Sequence, residues 1–250
     1  MGTASSMACI TEVLGMSLPG SAAIPAVHAD RLRLAEACGE RAMEMAVSGA
    51  PLPHEIITSK SVENALRVLL AISGSTNAVV HLAAIAGRRG IDLPLEHINR
   101  ISDETPVLVN LKPTGEHYMQ DLFGAGGLTA VLHELKHQLH LDCLTVTGET
   151  LGQWLSKTPK WVDRKVVRAF DDPYQKEGGL IALFGTLAPT GAILKRAAAD
   201  SNLFERTGRA VVFDSLEDLS KRIDSEDLDV SEDDFLVLKN AGPKSETCMP

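Results

Sequence analysis

Apolar residues recur every three or four positions along much of the first 160 residues, which is the spacing of helices that bury one face. The pattern predicts helices over residues 3–14, 28–47, 62–72, 78–87, 94–104 and 128–139. Thr3 or Ser5 is a candidate cap for the first of them. Short apolar runs at 107–111 and 145–147 predict buried strands. Strands that alternate with helices indicate the α/β class, with a layered architecture.

The pattern changes after about residue 160. Short apolar runs at 180–184, 192–194, 209–213 and 235–238 predict strands separated by turns, and only 216–223 has helical spacing. Acidic residues dominate 224–234. We therefore expect two domains, over residues 1–165 and 166–250, of which the second is smaller and richer in strands.

Composition excludes several classes of protein. Apolar residues make up 44% of the 250 residues, which suffices for a packed core. A net charge of −9, without a basic run longer than Arg88–Arg89, argues against a nucleic-acid partner. No stretch of 18 apolar residues predicts a membrane span. Cysteines at 9, 38, 143 and 248 are far apart, so we expect buried thiols, no disulfide framework and a cytoplasmic location.

One motif has the letters of a zinc site. His133, Glu134 and His137 match H-E-x-x-H, which on a helix places two imidazoles on one face and a general base beside them. A third ligand at a recognised spacing is missing. The alternative is an ordinary amphipathic helix whose buried stripe consists of Leu128, Val131, Leu132, Leu135 and Leu139. A zinc-dependent hydrolase therefore stays open as a second hypothesis.

The run SGSTN at residues 73–77 interrupts an apolar helical stretch with small polar residues. Glycine and asparagine lower helix propensity, and polar groups in such a setting need partners. These partners are either the backbone of the preceding turn or a ligand, and the sequence leaves both open.

Several segments in a fixed order resemble the dihydroxy-acid dehydratase and 6-phosphogluconate dehydratase family. They are MGTASSM (1–7), GMSLPGS (15–21), ENAL (63–66), GSTNA (74–78), AGGL (125–128), TVTG (145–148), LAPTGA (187–192), GRAVVF (208–213), LVLKNAGP (236–243) and MP (249–250). Together they span nearly the whole chain, and the later ones look most like the sugar-acid, arabinonate-type branch. FGT at 184–186 and SETC at 245–248 depart from the family pattern.

This resemblance implies a hydro-lyase that converts a 2,3-dihydroxy acid into a 2-keto acid and water. In the family, an iron–sulfur cluster (2Fe–2S or 4Fe–4S) acts on the leaving hydroxyl and Mg²⁺ holds the carboxylate end. A metal is needed because hydroxide is a poor leaving group. The resemblance also implies a small hydroxy-acid substrate, a homo-oligomer (dimer or tetramer), and a partial α/β cluster-binding domain followed by part of a β-barrel domain.

The family's metal ligands do not map onto this chain. The cluster cysteines, the magnesium-binding aspartates and the modified lysine precede the position of Met1, while a magnesium-binding glutamate and the proposed base serine follow Pro250. None of the four cysteines matches a cluster position, and Lys195 is not the modified lysine. The resemblance thus implies an internal piece that is inactive alone, and we assign no catalytic or metal-binding residue to it.

Six residues are expected near the substrate or the cluster. Thr3, Ser5 and Ser6 would start a helix immediately after the last cluster cysteine, and helix N-termini stabilise negative charge. Ser75, Thr76 and Asn77 are expected to line the same cavity. The alternative of another class is a non-catalytic, truncated homologue that acts as a binding module.

Overall fold

The structure is a computed structural model that describes residues 2–241. The described chain divides into two compact units between Ala198 and Ala199. The predicted positions Cys248, Met249 and Pro250 lie outside the described residues.

The first unit is mainly helical. Its helices are α1 (Thr3–Val13), α2 (Ala29–Ser48), α3 (Pro53–Ile56), α4 (Ser59–Ala71), α5 (Thr76–Arg88), α6 (Leu95–Glu104), α7 (Met119–Gly124), α8 (Gly127–Glu134) and α9 (Leu151–Ser156). Strands β1 (Ile181–Leu183) and β2 (Ala192–Leu194) pair antiparallel, with Ala182 opposite Ile193. The six helices that the sequence predicts are all present, with shifted ends.

Helix α4 lies at the centre of this unit, and ten of its thirteen residues are buried. Val68 and Ala71 face one apolar cluster, shared with α8, while Leu66 and Leu69 face another, shared with α5 and α6. A helix that is apolar on most of its surface is buried on most of its surface. Because α1 packs against both α4 and α5, this core fixes where the start of α1 lies.

Helix α2 differs from the other long helices. It begins after the cap His28 and ends at Gly49, which adopts φ +70° as helix ends often require. None of its residues is buried, and Leu32, Met43 and Val47 are largely exposed. Cys38 on this helix is exposed as well, so the prediction of a buried thiol is wrong at that position.

The second unit is a β-α-β element. Strands β3 (Ala210–Phe213) and β4 (Phe235–Leu238) pair in parallel, and α10 (Leu216–Arg222) lies between them in sequence. Phe213 is fully buried. Arg209, which precedes β3, forms ion pairs with Asp229 at 2.6 Å and with Asp234 at 2.8 Å, and Asp234 directly precedes β4. The α/β class is confirmed by this mixture of helices and small sheets. Among residues 2–241 neither sheet closes into a barrel, so the barrel domain stays a prediction.

Two predicted strands are absent from the described part of the chain, and one predicted helix is shorter than expected. Residues 107–111 are almost entirely buried but form isolated bridges, to Gln175, Val167 and His117, instead of a strand ladder. Residues 145–147 form a turn beside the bridge from Leu144 to Thr150. The helix predicted over 128–139 ends at Glu134 and continues only as a 3₁₀ turn over Lys136–Gln138. In all three places the sequence predicts burial correctly and hydrogen bonding incorrectly.

The domain boundary predicted at 165/166 stays a prediction, because compactness alone divides the chain at a different place, after the β1–β2 hairpin. Within residues 2–241, we find no helix that combines the length and apolar character needed to cross a bilayer.

Candidate functional site

The start of α1 and the start of α5 meet in the first unit. Gly2 caps α1 and Ser75 caps α5. The first turn of α1 contains Thr3, Ser5 and Ser6, so these residues stand within the helix and Thr3 and Ser5 are not its cap. The predicted residues from the two sequence segments are thus brought to neighbouring helix N-termini.

Hydrogen bonds join the two termini directly. The hydroxyls of Thr3 and Ser75 are 2.9 Å apart, and the Asn77 side-chain amide donates to Thr3 Oγ1 at 3.2 Å. The backbone N–H of Ser75 donates to Ser6 Oγ at 2.9 Å. Four of the six predicted residues therefore form one connected network.

The remaining two residues are less engaged. Ser5 Oγ donates only to the carbonyl of Gly2, at 3.2 Å, in an exposed position. Thr76 is half-buried in the first turn of α5, and the described residues provide no hydrogen-bond partner for its hydroxyl. Both residues stand beside the network without being part of it.

The turn at residues 73–75 explains why the termini come so close. Ser73 adopts φ +46°, a conformation that reverses the chain after α4. A Cβ on Gly74 would lie 2.4 Å from Leu69 Cδ1 and 3.0 Å from Ser6 Oγ, so a larger residue would require the Leu69 side chain to move. The interruption that the sequence pattern shows is thus a tight connection between two helices, and Ser75 then caps the second.

The network can bind and orient but cannot transfer protons efficiently, because none of the six residues titrates near neutral pH. Two helix N-termini meet here, and each carries a partial positive charge. Hydroxyl and amide groups add donors beside it. The arrangement suits a negatively charged group.

Replacing Ser75 by alanine tests the network. The variant loses both the cap bond from Asn77 N (3.2 Å) and the contact with Thr3, so we expect the free energy of unfolding to fall by about 1–2 kcal/mol. Urea unfolding measures the change. Ser156→Ala, which removes an exposed hydroxyl bound only to Gln153 O, should change stability by less than about 0.5 kcal/mol. Equal effects of the two variants would contradict the capping role.

The thiols do not suit an iron–sulfur cluster. Cluster ligands must converge on the iron atoms, whereas Cys9 and Cys143 form no group with other possible ligands among residues 2–241. Cys38 lies apart on exposed α2. Within residues 2–241 no three His, Cys, Asp or Glu side chains are placed to hold a metal ion. The described residues therefore do not fit a cluster or a magnesium site, and we derive no reaction step through either.

The residues of the H-E-x-x-H motif do not form a zinc site, because the helix ends before the second histidine. Because α8 ends at Glu134, His137 is not one helical turn beyond His133 on the same face. His133 Nε2 lies 2.9 Å from Thr158 Oγ1, and His137 packs edge-on against Phe170. Glu134 is paired with Arg164 at 2.8 Å. Each member of the motif is engaged separately, while the predicted stripe of buried apolar residues is confirmed.

Comparison with known proteins agrees with the order of the sequence motifs. Residues 1–154 match the model of the dihydroxy-acid/6-phosphogluconate dehydratase N-terminal region, and residues 165–250 match the model of the C-terminal region. The fold is a domain of mixed helix and sheet in which the N-termini of two helices meet. The chain belongs to the dihydroxy-acid/6-phosphogluconate dehydratase family.

Curated relatives extend this finding. A protein called putative dehydratase IlvD1 from Rhizobium meliloti is 45% identical over 244 residues, which are 98% of this chain and 42% of that protein. The dihydroxy-acid dehydratase of Carboxydothermus hydrogenoformans is 44% identical over 246 residues, 98% of this chain and 44% of that enzyme. That of Methanospirillum hungatei is 42% identical over 248 residues, 99% of this chain and 44% of that enzyme. The chain thus spans less than half the length of these relatives.

Proposed function

We propose that this chain is part of a hydro-lyase that removes water from a 2,3-dihydroxy acid to give a 2-keto acid. The observation that carries the proposal is the match of both family regions along one chain, together with relatives named dihydroxy-acid dehydratase at 42–44% identity. The names of these relatives do not distinguish a sugar acid from another dihydroxy acid. The sugar-acid branch therefore stays a prediction.

The proposal includes an iron–sulfur cluster and Mg²⁺ that are bound by residues other than the described ones. The separate positions of Cys9, Cys38 and Cys143 support this division, because cluster ligands must lie close together. The role left to the described residues is to hold the scaffold and one wall of the cavity. The 250 residues alone are then inactive.

In this proposal the joined termini of α1 and α5 lie beside the anionic part of the substrate or beside the cluster. Two helix N-termini and the Asn77 amide offer donors to negative charge, and their mutual hydrogen bonds keep them in place. The residues assigned to this wall are Thr3, Ser5, Ser6, Ser75, Thr76 and Asn77.

The experiment compares the isolated chain with the full-length protein that contains it. Both are reconstituted with iron, sulfide and Mg²⁺, supplied with dihydroxy and sugar acids, and assayed for 2-keto acid. We expect turnover only by the longer protein. Turnover by the isolated chain would overturn its proposed inactivity. Absence of 2-keto acid from both, with intact folding, would overturn the dehydratase assignment in favour of a non-catalytic module.

Substitution of Asn77 by alanine tests the cavity wall. In the full-length protein we expect kcat/KM to fall about tenfold, which corresponds to one lost hydrogen bond in or near the transition state. Thr11→Ala is the matched control, because its hydroxyl bonds to Met7 O at 2.7 Å farther along α1. If both variants retained the full kcat/KM, the six residues would be structural only.

The proposal also includes the location, assembly and partners of the protein. We place the protein in the cytoplasm, as a homo-oligomer whose small-molecule partner is the hydroxy acid, with no nucleic-acid or membrane partner. The support for the location is that Cys9, Cys38 and Cys143 are free thiols in separate parts of the first unit.

A further inference from the structure

A small pocket lies where α8 ends, next to the segment that follows α9. Its volume is about 210 Å³. His133, Glu134 and Lys136 line it from the end of α8, and Lys160 and Arg164 line it from the other segment. Basic side chains that are more than twenty residues apart in sequence therefore line one pocket. His133 and Glu134, two residues of the H-E-x-x-H motif, also line it.

The charges in this pocket are not balanced. Arg164 is neutralised by Glu134 at 2.8 Å. Lys136 and Lys160 have no carboxylate within 4 Å in the part of the chain that the structure describes. Two positive charges are thus left uncompensated in a chain whose net charge is −9.

Among residues 2–241, some lysines pair with a carboxylate and others, such as Lys112 and Lys176, do not. Lys221 pairs with Glu217 at 2.6 Å and Lys239 with Asp214 at 2.6 Å, while Lys157 pairs with Glu149 only three residues before Lys160. What distinguishes Lys136 and Lys160 is that both line one pocket together with Arg164. Like charges held near one another repel, and a bound anion would remove that repulsion.

His133 completes the pocket as a neutral group. The Thr158 hydroxyl donates to Leu155 O at 2.8 Å, so its oxygen accepts from His133 Nε2 at 2.9 Å. Burial lowers the pKa of His133, and Lys160 and Lys136 lower it further. The imidazole is therefore uncharged at neutral pH and adds no positive charge of its own to the pocket.

We propose that this pocket binds a phosphate-sized dianion, either inorganic phosphate or the phosphoryl group of a small phosphomonoester. Two ammonium groups balance a dianion, and they provide charge-assisted hydrogen bonds together with Arg164. The volume admits a tetrahedral oxyanion with some water but not a nucleotide. The site is separate from the joined termini of α1 and α5, and it does not depend on the proposed dehydratase activity.

Titration with inorganic phosphate and with glycerol phosphate tests the site at constant ionic strength set by sodium chloride. Calorimetry measures affinity, and NMR follows the pKa of His133, which should rise when a neighbouring anion is bound. We expect Lys136→Gln and Lys160→Gln to weaken binding about three- to fivefold each, and the double variant about tenfold or more. Tighter binding of glycerol phosphate than of inorganic phosphate would identify a phosphomonoester as the ligand.

Lys157→Gln is the matched control, because Lys157 belongs to the same segment and is already paired with Glu149. It should leave phosphate affinity unchanged. The proposal is overturned if Lys157→Gln weakens binding as much as Lys160→Gln, because general surface charge would then explain the affinity. It is equally overturned if phosphate replaces chloride at constant ionic strength until the chloride concentration has fallen 20-fold and the NMR chemical shifts of His133 do not change.

Discussion

Replacing Glu12 by alanine is expected to lower the free energy of unfolding by about 3–4 kcal/mol. Glu12 is a buried residue of α1, and its carboxylate accepts from Gly20 N at 2.8 Å, Ala22 N at 2.7 Å and Ser21 Oγ at 3.3 Å. Alanine leaves the buried Ala22 N and the partly buried Gly20 N without this acceptor, while Ser21 Oγ keeps only its contact with Ser17 Oγ at 3.0 Å. Buried donors without partners are among the costliest defects of a folded chain.

Urea unfolding followed by the fluorescence of the two tryptophans, Trp154 and Trp161, measures this effect within the first unit. Glu36→Ala is the control, since Glu36 is exposed on α2, and it should change stability by less than about 0.5 kcal/mol. A loss below about 1 kcal/mol for Glu12→Ala would mean that the 20–22 backbone finds other acceptors, and the carboxylate would then not hold this loop.

The same carboxylate predicts a dependence of stability on pH. Burial raises the pKa of Glu12 above its usual value, and this outweighs the hydrogen bonds from Ala22, Gly20 and Ser21 that favour the charged form. The folded chain then holds the proton more tightly than the unfolded chain. Its contribution to stability is present below the unfolded pKa and is lost as pH rises through the folded pKa. Glu12→Gln should remove this slope.

Local pattern predicted the helices well because most of them bury one face in the interior of the first unit. Helix α4 is the clearest example, since its apolar residues recur on nearly all sides and nearly all are buried. Helix α2 shows the limit of the same reasoning. Its spacing is equally helical, yet none of its residues is buried, because periodicity states which residues share a face and not what that face contacts.

Hydrogen bonding between distant segments was the part that local pattern missed. Leu108 donates to Ala71 O at 2.8 Å, and Asn110 donates to Val166 O at 3.0 Å, so the buried run 107–111 is held by a helix end and a loop. A short apolar run predicts burial from its composition, but the partner of each N–H is decided elsewhere in the chain. The same holds for residues 145–147, which pair with Gly15 and Glu149.

The candidate site was predictable in position and not in detail. The sequence places hydroxyl residues at two interruptions of apolar pattern, and helix N-termini prefer such residues. The contact of Thr3 with Ser75, across 72 positions, depends on the packing of α1 against α5. The basic pocket was missed for a related reason, since Lys136 and Arg164 are adjacent only after α8 and the later segment have packed.

Replacing Gly15 by alanine is expected to destabilise the first unit by about 3–5 kcal/mol. Gly15 adopts φ +84°, a backbone angle that residues other than glycine rarely adopt. A Cβ there would lie 2.6 Å from Leu144 O and 3.0 Å from Ile56 Cγ2. Neither contact is to a group that moves easily, because Leu144 O is backbone and Ile56 is fully buried in the core.

Gly20→Ala separates backbone strain from close approach. Gly20 adopts φ +82°, almost the same as Gly15, but a Cβ there would meet nothing within 4 Å. We expect this variant to cost only about 1 kcal/mol, the strain alone, in the same urea unfolding experiment. The difference between the two variants then measures how tightly the end of α1 is packed on residues 144–146, where Val146 N donates to Gly15 O at 2.7 Å. Equal losses would show that this contact yields easily, and that the turn conformation alone requires glycine.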